Sequence, residues 1–183
     1  MLLPDWLIEQ YIEEGQIKID PYDLLCVQPA SYDVHLGRGT IKPTTDSGTT
    51  RYFPRRIKEL EYFEVPWQLD GSLLLPPKSF MLGQLQEHIT LPADLAAKLE
   101  GKSTIGRAGI TVHVTAGWVD PGWDGVLTLE LCNLSENWLI LDEDQKIAQI
   151  SFYMMAAPAK RPYGHRDLNS HYQGDTTVQG AKT

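Results

Sequence analysis

The sequence predicts a mostly β, single-domain protein with a short N-terminal helix. Three observations carry that prediction. Apolar and polar residues alternate with period two at 31–36 and 126–132. Gly and Pro separate the short apolar runs at close intervals, the punctuation of a sandwich or barrel. Helical spacing of apolar residues is clear only near the N-terminus.

From the N-terminus, Asp5 through Glu14 sets Leu7, Ile8, Tyr11 and Ile12 on one stripe, with glutamates opposite and Gly15 as a stop. Residues 31–36 place Tyr32, Val34 and Leu36 against Ser31, Asp33 and His35, a half-buried strand. The stretch 44–56, TTDSGTTRYFPRR, reads as a polar loop and the segment with most local flexibility. Further strands are expected at 72–75, 79–84, 110–114, 126–132, 138–141 and 146–154, with short helical turns between some of them. In 126–132, Leu127, Leu129 and Leu131 point one way, and Val126, Thr128, Glu130 and Cys132 the other. From Gly164 to Thr183 the chain is polar, aperiodic and rich in Gly, Thr and Gln, a flexible tail that is either disordered or ordered only by a ligand or neighbouring subunit. No internal repeat and no second domain interrupts residues 1–183.

Composition narrows the function. A chain of 183 residues with 42% hydrophobic residues is long enough for one real core. A net charge of −8 argues against a nucleic-acid binder, although a few local cations suffice for one nucleotide. No apolar run approaches membrane-spanning length and the start MLLPDWLIEQ has no basic leader, so a cytoplasmic protein without a membrane partner is expected. Cys26 and Cys132 are far apart and stand in no zinc-ligand spacing, so they read as reduced structural thiols and no zinc site is expected.

Residues 101–133, GKSTIGRAGITVHVTAGWVDPGWDGVLTLELCN, concentrate the chemistry. Lys102, Ser103, Thr104, Arg107, His113, Thr115, Asp120 and Glu130 are interleaved with glycines that let backbone N–H groups approach an anion. The spacing is neither a P-loop nor a dinucleotide fingerprint. Lys160, Arg161 and Arg166 are further cations, with Lys160 and Arg161 read as solvated surface charge. Glu130 on a β-rich run is costly if buried without a partner; pattern alone leaves a solvent-facing glutamate equally open. His113 is assigned no catalytic role.

The order G-[RK]-S-[ST]-x-x-R-x-G, H-x-T-A, D-x-G-[WF]-x-G and T-L-E resembles the core of the dCTP deaminase branch of the dUTPase-like family, and each element is present here. The resemblance extends to VQPASYDVHLG at 27–37, to Tyr163 and to HYQG at 171–174. It implies a dUTPase-like barrel or sandwich, a homotrimer with active sites between subunits, and hydrolytic deamination of dCTP at cytosine C4 without zinc. Glu130 would then shuttle protons, Ser103 and the Ala116 carbonyl would hold the water, and Arg107 would orient Glu130. Lys102, Ser103, Thr104, Arg107, Gln149, Tyr163, His171 and Asp175 would bind substrate, Asp120 the ribose 3′-OH and Trp123 the deoxyribose face. The backbone of Thr128, Leu129 and Glu130 would read the pyrimidine edge. Mg²⁺ would arrive on the triphosphate, and dUTP and, as an inhibitor, dTTP are the other implied ligands.

Two places separate this chain from, or within, that family. The family tail K-Y-x-x-Q reads here His171-Tyr172-Gln173-Gly174-Asp175, which removes a cation and adds a carboxylate where a triphosphate would lie. Gly117-Trp118 after Thr115-Ala116 resembles the bifunctional members, which also cleave the triphosphate to dUMP and pyrophosphate. A glycine there leaves room for a water in line with the α-phosphate. A deaminase stopping at dUTP, a plain dUTPase with no need of Glu130, and a regulator that binds dCTP or dTTP without turnover are the alternatives.

Overall fold

A computed structural model describes residues 1–44 and 60–182. The helix α1, Asp5–Glu13, buries Ile8 completely, and Leu7, Tyr11 and Ile12 pack beside it on the core. Gly15 ends it at φ +71°, a backbone conformation that favours glycine. Short strands β1 (Lys18–Asp20) and β2 (Val27–Gln28) follow, with a 3-10 turn at Leu24–Cys26 before β2. The long strand β3 (Ser31–Pro43) contains the expected 31–36 segment and runs well past it.

After β4 (Tyr62–Glu64) and β5 (Ser72–Leu75) come β6 (Phe80–Thr90), β7 (Leu95–Gly101), the five-residue helix α2 (Ser103–Arg107), β8 (Ile110–Thr111) and β9 (Trp118–Val119). The chain continues through β10 (Asp124–Asn133), β11 (Leu139–Asp142) and β12 (Lys146–Met154). The predicted strand 110–114 is therefore cut to two residues, because 112–117 leaves the sheet as a loop. Strand β7 was not anticipated: LAAKLEG is rich in helix formers, and pairing with β12 along its whole length overrides that propensity. Residues 45–56 of the expected flexible loop lie outside the described residues.

Most strands join one large sheet in the order β8-β10-β6-β3-β12-β7-β9, with β1 paired to β6, β2 and β4 paired to β3, and β11-β5 forming a separate pair. β8 and β9 are opposite ends of that order, yet only residues 112–117 connect them. Six residues reach about 20 Å at most, so the sheet curls until its edges nearly meet. The seam is stitched on both sides: the Glu130 N–H donates to Val112 O (2.9 Å) and the Leu99 N–H to Gly117 O (2.7 Å).

β3 makes the curl possible. Its first half pairs with β12 and its second half with β6, with a register shift between Gly37 and Thr40. At Gly37 a Cβ would stand 2.8 Å from the Leu85 carbonyl oxygen, so only glycine permits this close approach. Tyr32, Leu36, Leu85, Leu129, Ile150 and Phe152 fill the interior with no exposed surface. Each contributes about 1.5–3 kcal/mol by burial.

One detail of β10 departs from strict alternation. Leu129 and Leu131 are fully buried as expected, but Leu127 is half-buried and faces a cavity. The register shifts between Val126 and Thr128, where β6 spends two more residues than β10. That irregularity removes Leu127 from the core face.

Candidate active site

Along β10 the even-numbered residues turn their backbone groups to the edge away from β6. There the Asp124 carbonyl accepts from the Gly174 N–H (2.8 Å), the Val126 N–H donates to Asp175 O (2.7 Å), and the Glu130 N–H to Val112 O (2.9 Å). By the same alternation Thr128 presents its N–H and C=O to that edge. Among the described residues no segment pairs with them: the tail covers the edge up to 126 and the 112–117 loop covers it from 130. One backbone donor and one acceptor are thus left open inside a cavity of about 420 Å³.

Glu130 stands at the end of this gap. Its carboxylate accepts hydrogen bonds from the Val114 N–H (2.6 Å) and, more weakly, the Thr115 N–H (3.4 Å). Both donors belong to the seam loop, so the glutamate is held where the two sheet edges meet. Ala116, Trp118 and Asp120 line the same cavity from that loop and from β9. His113 lines it too, with Nε2 at 3.3 Å from Glu100 Oε2 and Nδ1 buried without a hydrogen-bond partner. Glu100 is held below the usual carboxylate range, chiefly by the Lys98 ammonium and also by His113.

The wall beyond Thr128 is aromatic. Trp123, 7% exposed, packs on Tyr163 with ring centroids 5.5 Å apart, and its Nε1–H donates to Gly125 O (3.2 Å). Trp123 is therefore a core aromatic and a cavity wall at once. The tail supplies Tyr172, Asp175, Gln179, Gly180 and Ala181 as the remaining wall. Every described stretch of that tail is bonded to its own chain: Val178 N–H to Gln84 Oε1 (2.8 Å), Gln179 N–H to Thr128 Oγ1 (3.4 Å) and Ala181 N–H to the Tyr62 hydroxyl (3.2 Å).

Other expected residues lie elsewhere. Lys102 bonds through Nζ to Asp33 Oδ1 (2.5 Å), a carboxylate with only 4% of its side chain exposed and with Lys146 at 3.6 Å on its other oxygen. Its charge is spent on a buried acid, which removes it from this cavity. Ser103, Thr104 and Arg107 project into solvent from α2 and do not line the cavity. Gln149 accepts from the Ser31 hydroxyl (3.3 Å) on the β3–β12 pair, and the Leu129 side chain is in the core, so only its backbone is near. Gly117 is buried behind the loop, and His171 is exposed, edge-on to Tyr172.

Sequence reasoning missed Tyr62, Leu127, Val119 and Gln179 as cavity residues. The register shift brings Leu127, the folded-back tail brings Gln179, and the pairing of β4 with β3 and of β9 with β7 brings Tyr62 and Val119; none of these has a local signal. Burial pushes both thiols up, that of Cys132 with help from the Glu130 charge.

Residues 2–155 match the family model described as dCTP deaminase-like. The chain belongs to the dCTP deaminase-like family. It is 41% identical to a dUMP-forming dCTP deaminase of Methanothermobacter thermautotrophicus, over 99% of this chain and 93% of that one. A dUMP-forming dCTP deaminase of Corynebacterium jeikeium is 42% identical, over 95% of this chain and 92% of its own. Among solved structures, the 2′-deoxycytidine 5′-triphosphate deaminase of Agrobacterium tumefaciens matches with a TM-score of 0.62 at 23% identity. That match covers 83% of this chain and 48% of the other, so the chain spans about half its length, and the likeness is one of fold. The motif at 101–130 thus identified the family, and the mostly β architecture follows it. No helix among the described residues is long and apolar enough to cross a membrane.

Proposed function

We propose that this chain hydrolyses the 4-amino group of dCTP and then cleaves the triphosphate, releasing ammonia, pyrophosphate and dUMP. One observation carries the reading: the Glu130 carboxylate, fixed by two loop amides, stands beside the open donor and acceptor of Thr128. A pyrimidine edge offers the complementary acceptor and donor, so the base would seat against β10 with C4 toward Glu130. Glu130 takes a proton from a water that attacks C4 and delivers it to N3; it then carries the remaining C4 hydroxyl proton to the amine, and ammonia departs as the C4 carbonyl forms. A second water then displaces pyrophosphate from the α-phosphate.

The relatives named dUMP-forming support the second step. Asp120, exposed on the cavity wall, suits the ribose 3′-OH, and the Trp123–Tyr163 pair suits the deoxyribose face. Among the described residues no three His, Cys, Asp or Glu side chains converge on an ion site. Mg²⁺ would enter on the nucleotide's own phosphate oxygens. The chemistry asks nothing of zinc, because Glu130 itself serves as the base. dTTP would compete for the same base and sugar contacts, and the reaction draws on the free nucleotide pool of the cytoplasm.

Ser103 and Arg107 have no route to their own chain's cavity, being exposed on α2. We assign them to a neighbouring chain's site, which makes the enzyme a homotrimer with shared active sites. The exposed Val114 on the seam loop and Trp118 on β9 favour such a contact.

The test is incubation with dCTP and Mg²⁺, measuring ammonia, pyrophosphate and nucleotides. Equal yields of dUMP, ammonia and pyrophosphate are expected. Glu130→Gln should lose ammonia release by about 10²-fold or more while still cleaving dUTP. Deamination surviving that substitution would remove Glu130 from its role. Accumulating dUTP without pyrophosphate would mean a deaminase that stops after the first step.

A further inference from the structure

The tail that walls the cavity lies beyond the residues matched by the family model, which end at 155. It is closed by a bond between two of its own side chains. Lys182 Nζ donates to both oxygens of Asp175, at 2.7 Å each. The Lys182 N–H donates to the Tyr172 hydroxyl (3.0 Å), and the ammonium sits 5.4 Å from the centre of the Tyr172 ring. Asp175 is itself fastened to the sheet, since its carbonyl accepts from the Val126 N–H. Gly125 makes room for this: a Cβ there would stand 2.9 Å from the Asp175 carbonyl oxygen.

The ion pair therefore joins a strand-anchored residue to the far end of the tail. Between the two ends run Gln179, Gly180 and Ala181, all facing the cavity. Two physical consequences follow. The loop is held closed without a ligand, so its ordering cost is met before a nucleotide arrives. Asp175, otherwise an uncompensated carboxylate on the wall of a site for an anionic ligand, has its charge offset by Lys182.

We propose that the Asp175–Lys182 pair is a positioning clamp that preforms the tail wall of the nucleotide site and offsets the carboxylate that would repel a triphosphate. Neither residue touches the reacting atoms. The clamp's effect is on affinity and not on the chemical step, and this part of the inference rests on the dCTP reading given above.

Two measurements separate the clamp from that reading. Hydrogen exchange of the nucleotide-free protein reports the tail directly. Amides of 176–182 should exchange faster in Asp175→Asn and in Lys182→Met than in the parent, and Lys182→Arg should keep the parent protection. The second is steady-state turnover of dCTP. Lys182→Met, which opens the tail and bares the Asp175 carboxylate, should raise KM about fivefold with kcat within a factor of two, as expected for loss of one partly exposed charge pair. Asp175→Asn opens the tail but also removes the repelling charge, and should raise KM by less. Lys182→Arg should return KM to within about twofold of the parent, because a guanidinium keeps the bidentate bond. Parent-like exchange in Lys182→Met would overturn the clamp whatever the enzyme's activity. Faster exchange with KM unchanged would overturn its role in nucleotide binding. If the parent fails to turn over dCTP while exchange behaves as expected, the clamp stands and the substrate reading falls.

Discussion

Gly117→Ala tests how tightly the seam loop sets the position of Glu130. A Cβ at 117 would lie 2.7 Å from the Leu99 carbonyl oxygen and 3.2 Å from His113 Nε2. The first neighbour is backbone, tied to residue 117 by the Leu99 N–Gly117 O bond, so it cannot swing aside. Relief of the contact needs a displacement of roughly 0.7 Å, toward ordinary van der Waals separation. The loop 113–117 is the part free to move, and it carries the Val114 and Thr115 amides that hold the Glu130 carboxylate. Overpacking of this kind costs about 1–3 kcal/mol of stability. A sub-ångström shift of a catalytic group costs about ten- to a hundredfold in rate. Thermal denaturation and parallel assays of ammonia and pyrophosphate release would measure both. A lower Tm with both products reduced is expected. Loss of pyrophosphate alone, with ammonia release intact, would refute loop displacement and leave only the exclusion of a local water. A variant indistinguishable from the parent would refute both.

Mixing tests the shared site. If each site draws the two residues from different chains of a closed ring, as proposed, Arg107→Ala and Glu130→Gln chains, each inactive alone, should recover about a quarter of parental deamination when unfolded and reassembled together; no recovery would place Arg107 and Glu130 in one chain's site or outside any site. Glu87 is fully buried, with both oxygens accepting from the His35 N–H and Oε1 lying 2.6 Å from His35 Nδ1. Burial pushes its carboxyl up from 4.5 despite those bonds. The stability it contributes is full below the unfolded value and is lost as pH rises through the elevated folded one. The Tm of the parent should therefore fall relative to Glu87→Gln as pH climbs above 4.5, and a pH-independent difference would contradict the shift. Asn133, 1% exposed, donates through Nδ2 to three carbonyls, Leu75, Pro76 and Asn137. Asn133→Ala strands those acceptors and should cost about 3 kcal/mol in chemical denaturation, whereas a loss under about 1 kcal/mol would show that water replaces the bonds.

The helix stripe at Leu7, Ile8, Tyr11 and Ile12 was legible because a single face repeats every three to four residues, and burial followed it. Strand 31–36 was legible for the corresponding reason with period two, and 72–75 and 146–154 as apolar runs with Gly and Pro between them. β7 was not, because its Ala, Leu, Lys and Glu favour a helix until β12 pairs with them. The family was legible from 101–130, where residue types recur in fixed order. Which of those residues share a cavity was not. Asp120, Trp123, Thr128 and Glu130 meet in one, while Ser103, Thr104 and Arg107, closer to Glu130 in sequence than the tail is, face away from it.

The amino-acid sequence by itself determined the β class, the N-terminal helix, the family and the carboxylate proposed to carry the chemistry, since each depends on residue types and on local spacing. Only the tertiary structure decided that Lys102 serves Asp33, that Leu127 leaves the core, that Thr128 keeps an open donor and acceptor, and that Lys182 closes on Asp175. These depend on which backbone groups a distant segment satisfies and which charges burial brings together, and a one-dimensional pattern has no term for either.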